Sequence, residues 1–217
     1  MGNGFENMTD FVFPANLTNI STSKGVLSGC KKLTKITFPV AYCDISHSES
    51  FLTNSTFVNG LELPYTLNFT PMVSVDKQTG VEEIKQNEIL KGSHVVGNLN
   101  IKAATTNKCV VYVNKETTSL IIYPATVQGR FYLMGKGIDG DLSGLQSIQI
   151  GRSTNINDTD GFASNTSANI NLSLDFQSGN CTTKIPKNAF NGYSGNTINV
   201  VIYGNVTDSN GITLESG

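Results

Sequence analysis

The chain has 217 residues, of which only 15% are charged, and its formal net charge is −2. So weak a field argues against nucleic acid or an anionic membrane surface as partner, and without a run of 18 apolar residues the sequence offers no membrane-spanning helix, so no membrane insertion is expected. Asn, Ser, Thr and Gly stand where charge would be. They solvate a surface and favour turns, which predicts many short strands joined by tight corners and little helix.

Three segments near the start repeat one spacing, apolar-x-x-apolar-x-apolar-Pro, every 25 residues: Met8-x-x-Phe11-x-Phe13-Pro14, Leu33-x-x-Ile36-x-Phe38-Pro39 and Val58-x-x-Leu61-x-Leu63-Pro64. The register extends beyond the proline to Leu17, Tyr42 and Leu67, then to Ile20 and Ile45. Self-similarity at this period marks a solenoid, in which each coil cannot bury its apolar face alone and becomes stable only when stacked. Alternation of apolar residues predicts a strand with one face inward, and the proline after it fits a strand end, because it cannot donate to a ladder.

The spacing returns as Val96-x-x-Leu99-x-Ile101, Thr118-x-x-Ile121-x-Tyr123-Pro124, Leu145-x-x-Ile148-x-Ile150, Leu172-x-Leu174 with Asn169 in the leading place, and Thr197-x-x-Val200-x-Ile202. The central positions are separated by 25, 25, 38, 22, 27, 24 and 28 residues. The long step predicts an insertion over 73–90, within which Val81 to Leu90 is the best helical candidate. Between coils, Cys109–Val113 and Arg130–Met134 have strand-like composition, expected to form a hairpin-like segment over 109–134 or extra ladder rungs. The prediction is a single domain, residues 1–217: a β-rich solenoid of about eight irregular coils with one parallel sheet, strands about 4.8 Å apart and the body roughly 35 Å long. Its spine is expected to carry Ile36, Leu61, Leu99, Ile121 and Ile148 side by side. After the last strand only a polar tail from Asn205 follows, which predicts an uncapped end that meets a continuation of the chain or another copy.

The residues at the corners add a resemblance. Val26-Leu27-Ser28-Gly29-Cys30-Lys31-Lys32-Leu33-Thr34-Lys35-Ile36-Thr37-Phe38-Pro39 and Ile185-Pro186-Lys187-Asn188-Ala189-Phe190-Asn191-Gly192-Tyr193 resemble the repeat of the BspA-type leucine-rich repeat family, Leu-x-x-Ile-x-Ile-Pro-x-x-Val-x-x-Ile-Gly followed by Ala-Phe and a Gly-Cys corner. The likeness is close over 8–70 and 185–206; residues 71–184 keep the strand spacing and lose most corner residues. The resemblance implies a leucine-rich-repeat surface or secreted module that binds a protein or host-cell ligand, with no catalytic residues. The alternative reading is a structural component of a large assembly, such as a fibre, tail or decoration protein of a bacterial virus, which places it in the virion rather than outside the cell or on its surface.

Signals for chemistry are weak. Gly135-Lys136-Gly137-Ile138-Asp139-Gly140 spells Gly-x-Gly-x-x-Gly, but a dinucleotide site needs a helix to follow, and Asp141-Leu142-Ser143-Gly144 does not predict one. Asn155-Ile156-Asn157-Asp158-Thr159-Asp160-Gly161 gathers oxygen ligands without the spacing or closing glutamate of a calcium loop, so a polar corner is expected. His47 and His94 lie in no nucleophile or metal motif. Cys30, Cys43, Cys109 and Cys181 show no metal-ligand spacing; a disulfide such as Cys30 with Cys43 is one reading, and buried thiols at corners the preferred one. No enzyme activity, metal or cofactor is therefore expected.

Recognition is expected on the flat face of the parallel sheet, through the residue between the two inward positions of each strand: Val12, Thr37, Glu62, Asn100, Ile122, Gln149, Ser173 and Val201. Tyr42, Tyr65, Phe69, Tyr123 and Tyr132 are the aromatics available to line a recognition face; of these Tyr42 is assigned to the core with Phe11, Phe13 and Phe38, whereas Tyr65, just past Pro64, is expected to be exposed. The candidate ligand-binding residues are Glu62, Tyr65, Asn100 and Gln149.

Overall fold

The computed structural model describes residues 5–21, 27–46, 51–70, 73–84, 87–124, 129–157, 159–175 and 185–204. Cys181, His47, Asp158 and the tail from Asn205, which enter the sequence expectations, lie outside them. The described residues form a parallel β-solenoid of about seven turns with almost no helix. Three ladders wrap a single hydrophobic cluster. The first holds β1 (Asp10–Val12), β3 (Lys35–Thr37), β6 (Leu61–Leu63), β12 (Gly97–Ile101), β15 (Thr117–Ile122), β17 (Ser147–Ile150), β19 (Asn169–Asp175) and β20 (Ile198–Tyr203). Within it, β1 pairs with β3, and the other six make one sheet in the order β6-β12-β15-β17-β19-β20. The second contains β2 (Asn19–Ser21), β4 (Cys43–Ser46), β7 (Leu67–Thr70) and β13 (Ala104–Thr105). The third contains β10 (Asn87–Ile89), β14 (Cys109–Val113), β16 (Phe131–Gly140) and β18 (Thr154–Asn155), with a short pair β5 (Thr56–Phe57) and β11 (His94–Val95) between coils.

The core follows the pleat. Leu61, Leu99, Leu120, Ile148, Ile170 and Ile198 occupy one inward row of the six-stranded sheet, and Leu63, Ile101, Ile122, Ile150, Leu172 and Val200 the next. Leu99, Leu120, Ile148 and Ile170 are fully buried, each contributing about 1.5–3 kcal/mol by leaving water. Two residues of the expected spine are placed differently. Ile121 points outward, its row taken by Leu120, so that Ile122, expected outside, is buried instead. Three consecutive apolar residues, Leu120-Ile121-Ile122, leave both parities open, and a one-residue shift turns every side chain over. The observed parity leaves Tyr123 on the wet side, where the residue is 48% exposed, rather than burying its hydroxyl without a partner. Ile36 is half-buried and pairs with Phe11 in the separate β1–β3 ladder.

Other expectations are corrected by pairing. Tyr42 is exposed; in the second ladder its place opposite Leu67 is taken by the buried Cys43, because Ile20, Ile45 and Phe69 align at steps of 25 and then 24 residues. Segment 109–134 is no hairpin, since β14 and β16 run parallel with β15 intervening in another ladder. Within the helical candidate 81–90, Glu82–Ile84 and Asn87–Ile89 are strands. Of the stretch 73–90, β8 (Val73–Val75) and β9 (Glu82–Ile84) form the one antiparallel pair among the described residues, whereas β10 stacks on β14 and Leu90 is buried, so these last residues belong to the body.

Corners explain the composition. Leu27, Leu52 and Leu90 share a left-handed backbone, φ 57, 58 and 63°, as do Gly29, Asn54 and Gly92 two residues on. Gly92 suits its place because its φ of 68° strains most side chains, and a Cβ there would also press on the Asn54 Oδ1 of the coil beneath. Hydroxyls then tie one coil to the one before: Ser55 Oγ donates to the Leu27 carbonyl and Ser93 Oγ to that of Leu52, both at 2.6 Å, Thr66 Oγ1 to Pro39 at 2.9 Å and Thr117 Oγ1 to Val95 at 3.0 Å. These donors are buried. A carbonyl turned away from the ladder at a corner thereby gains a partner, worth about 1 kcal/mol each.

Candidate recognition groove

Outward side chains of the six-stranded sheet also fall into rows. Glu62, Asn100, Ile121, Gln149, Asn171 and Asn199 lie side by side on successive strands. Polar residues are natural on the wet face of a sheet; Ile121 is the apolar exception. One position further along the strands come Lys102 and Tyr123, whose amides bond to Leu63 and Ile101 of the preceding coil, and Gly151, whose amide bonds to Ile122.

Glu62 organises one end. Its Oε2 accepts from Asn100 Nδ2 at 3.0 Å and pairs with Lys102 Nζ at 2.9 Å. The ion pair is half-exposed and adds under about 1 kcal/mol to stability, but it fixes two side chains and cancels their charge. Asn100 Oδ1 is left buried without a partner.

Tyr123 organises the other end. An added Cβ at Gly151 would lie 2.6 Å from the Tyr123 Cδ2 and 3.0 Å from its Cγ and Cε2, so the ring rests directly on the backbone of the next strand. One face is thus supported by the sheet while the residue as a whole stays 48% exposed. Tyr65, just beyond the end of β6, is 51% exposed. A groove of about 470 Å³ is lined by Tyr65, Asn100, Lys102, Ile121, Tyr123 and Gln149. Tyr65 sits on coil three and Tyr123 on coil five, two rungs or about 10 Å apart along the stack.

Of the four residues nominated from sequence, Tyr65, Asn100 and Gln149 meet in this groove, and Glu62 holds Asn100 and Lys102 at its edge. Val12 and Thr37 are exposed on the separate β1–β3 ladder, and Ser173 and Val201 pair with each other one row beyond Asn171 and Asn199. Sequence reasoning missed Lys102 and Ile121, and it counted Tyr123 among the aromatics open to recognition without nominating it. Lys102 could have been found, because it stands where the first three coils carry proline. Ile121 was hidden by the parity error at Leu120-Ile121-Ile122, which also set Tyr123 in an inward place of the repeat.

A second, more polar cleft of about 570 Å³ includes Lys136, Asp139, Asp141, Asp160, Asn165 and Asn188 in its lining. Both doubtful motifs converge here. Gly135–Gly140 continues β16 as strand, and the chain then makes a single 3-10 turn, Leu142–Gly144, capped by Asp141: its Oδ1 accepts from the amide Ser143 N at 3.0 Å and from the hydroxyl Ser143 Oγ at 2.5 Å. Those bonds hold the Asp141 carboxyl below its ordinary pKa. Asp139 is paired with Lys136 at 3.4 Å. Asp139 and Asp141 are thus both satisfied by groups of their own corner.

Cys30, Cys43 and Cys109 are free, buried thiols, and burial raises the pKa of each, Cys109 most strongly. At neutral pH these are protonated core side chains rather than nucleophiles. No protein-family model, curated protein or solved structure matches the chain.

Proposed function

We propose that this solenoid is a non-catalytic recognition module, working at a cell surface or outside the cell, that binds a protein or host-cell ligand in the groove between Tyr65 and Tyr123. The observation that carries this reading is the convergence of two half-exposed tyrosines, an outward isoleucine and uncommitted amide chemistry on an otherwise polar, flat sheet; aromatic residues are enriched where proteins bind. The BspA-type leucine-rich repeat reading is supported by the corners. Leu27-Ser28-Gly29-Cys30, Leu52-Thr53-Asn54-Ser55 and Leu90-Lys91-Gly92-Ser93 share one backbone course, so the corner motif extends past the residues where sequence displays it. The test is binding of the labelled, intact protein to cultured epithelial cells, compared with Glu62→Trp and Gln149→Trp. These outward substitutions are expected to leave the fold intact and to lower binding about tenfold or more, the loss typical of a disturbed anchor site; unchanged binding by both would reject the groove.

A second reading, a component of a large assembly such as a virion, is favoured by one observation. On β20, Val200, Val201 and Ile202 are 41, 50 and 39% exposed, although Val200 and Ile202 stand in register with the buried Leu172 and Leu174. An open apolar strand edge invites further stacking. Sedimentation velocity over a hundredfold concentration range tests it: growing oligomers that Val201→Lys abolishes support assembly, and a constant monomer rejects self-assembly through this edge.

A further inference from the structure

We infer that the ligand of the Tyr65–Tyr123 groove is a neutral glycan, with a pyranose ring stacked on Tyr123. This deepens the recognition reading and rests on it. Three features select the ligand class. First, the groove carries no uncompensated charge, because Glu62 and Lys102 neutralise each other; an anionic ligand would have to break that pair. Second, the Tyr123 ring is held against Gly151 from below, leaving an aromatic face of fixed orientation. A supported ring is a platform for the C–H face of a sugar, whose apolar patch is flat and broad, and Ile121 beside it extends the apolar floor. Third, hydrogen-bonding groups ring that floor. Among the described residues the Gln149 amide and the Tyr65 and Tyr123 hydroxyls have no hydrogen-bond partner, and Lys102 has ammonium donors beyond the one given to Glu62.

Apolar floor and polar rim together match a molecule that is apolar on one face and hydroxylated around its edge. A peptide side chain would use the floor and leave the rim donors and acceptors idle. The rim also continues along the stack through the amides of Asn171 and Asn199, which already bond each other at 2.9 Å. These amide-bearing strands recur about every 4.8 Å, a track along which further sugar units can lie.

The test is an array of neutral hexose and N-acetylhexosamine oligosaccharides probed with the intact labelled protein, then titration of any hit by tyrosine fluorescence, which is usable because the chain has no tryptophan. The expected result is binding to at least one neutral oligosaccharide, weakened about tenfold or more by Tyr123→Ala and by Gln149→Leu but largely kept by Tyr123→Phe, which retains the ring. Gly151→Ala, which displaces the ring without removing it, is expected to weaken binding while circular dichroism stays unchanged. A silent array, or hits indifferent to Tyr123→Ala in folded protein, overturns the inference. Epithelial cells separate the two levels of the proposal. Binding that survives periodate oxidation of the cells but not proteolysis leaves the recognition role standing and removes the glycan; no binding to untreated cells, with a silent array, removes both.

Discussion

The first three coils and the later ones differ in an instructive way. Residues 8–63 carry the most regular sequence spacing in the chain, yet their first-ladder strands are three residues long, β1 and β3 pair only with each other among the described residues, and Phe11 and Ile36 are merely half-buried. Residues 97–175 have irregular spacing, and their inward rows are sealed, with Leu99, Leu120, Ile148 and Ile170 fully buried. Regular sequence therefore does not mean tight packing. The early coils add to the buried Leu33, Ile45, Leu63 and Leu67 a chain of rings running from Phe11 through Phe13 to Phe38 and Phe51 and on to Phe69, with centroids 4.8–6.3 Å apart. In the later coils the first ladder is built from stacked aliphatic rows.

The sharpest way to break this contrast is paired truncation. Ile148→Ala should cost about 3–4 kcal/mol in denaturant unfolding, because the lost transfer energy is joined by a cavity in a sealed row. Ile36→Ala should cost only about 1 kcal/mol, since its site is open to solvent and relaxes. Equal losses would show that the early coils are as tightly packed as the later ones.

A second test concerns a link confined to the later coils. Arg152 reaches Asp175 through Nε at 3.0 Å and Nη2 at 2.9 Å and lies over the Tyr203 ring at 4.6 Å. Asp175 is only 3% exposed, so Arg152→Ala would remove its guanidinium partner from a buried carboxylate and is expected to cost about 3 kcal/mol. A loss under about 1 kcal/mol would mean that the pair behaves like an ordinary surface bridge.

How far the fold could be read depended on what each stretch had to satisfy. The solenoid was visible because stacking demands an inward residue at each rung, and the repeat at 8–64 shows that demand without interference. The chain also announced Glu62, Asn100 and Gln149 as outward residues, because each is a polar residue flanked by two aliphatic ones. It was ambiguous at Leu120-Ile121-Ile122, where both faces are apolar, and that ambiguity concealed the groove floor. The corners were hidden for a different reason. Gly29, Asn54 and Gly92 meet the same backbone demand with different residues, and Cys30, Ser55 and Ser93 fill the same buried place, so the motif is shared in conformation rather than in letters.

Corner hydroxyls offer a finer comparison. Ser93→Ala is expected to destabilise by about 1–2 kcal/mol, leaving the Leu52 carbonyl without its buried donor, whereas Thr53→Ala, whose hydroxyl is exposed, should stay within about 0.5 kcal/mol. Thiol chemistry gives a smaller and purely kinetic effect: Cys109, fully buried with its Sγ 3.2 Å from the Tyr132 carbonyl, should react with a disulfide reagent only as fast as the protein opens. Smallest of all is the pH response of Asp141. Its lowered pKa in the folded chain means a stabilisation present above the unfolded value, about 3.9, and lost as pH falls through the folded one. The difference in melting temperature between the parent and Asp141→Asn should therefore disappear in strong acid.

The claim that matters most is that the wet face of the six-stranded sheet binds through the floor at Ile121. Ile121→Arg tests it directly, because the side chain points away from the core and the substitution fills the groove with charge. Melting temperature should change by no more than about 2 °C while binding to cultured epithelial cells falls about tenfold or more. Unaltered binding by this folded variant would contradict the account.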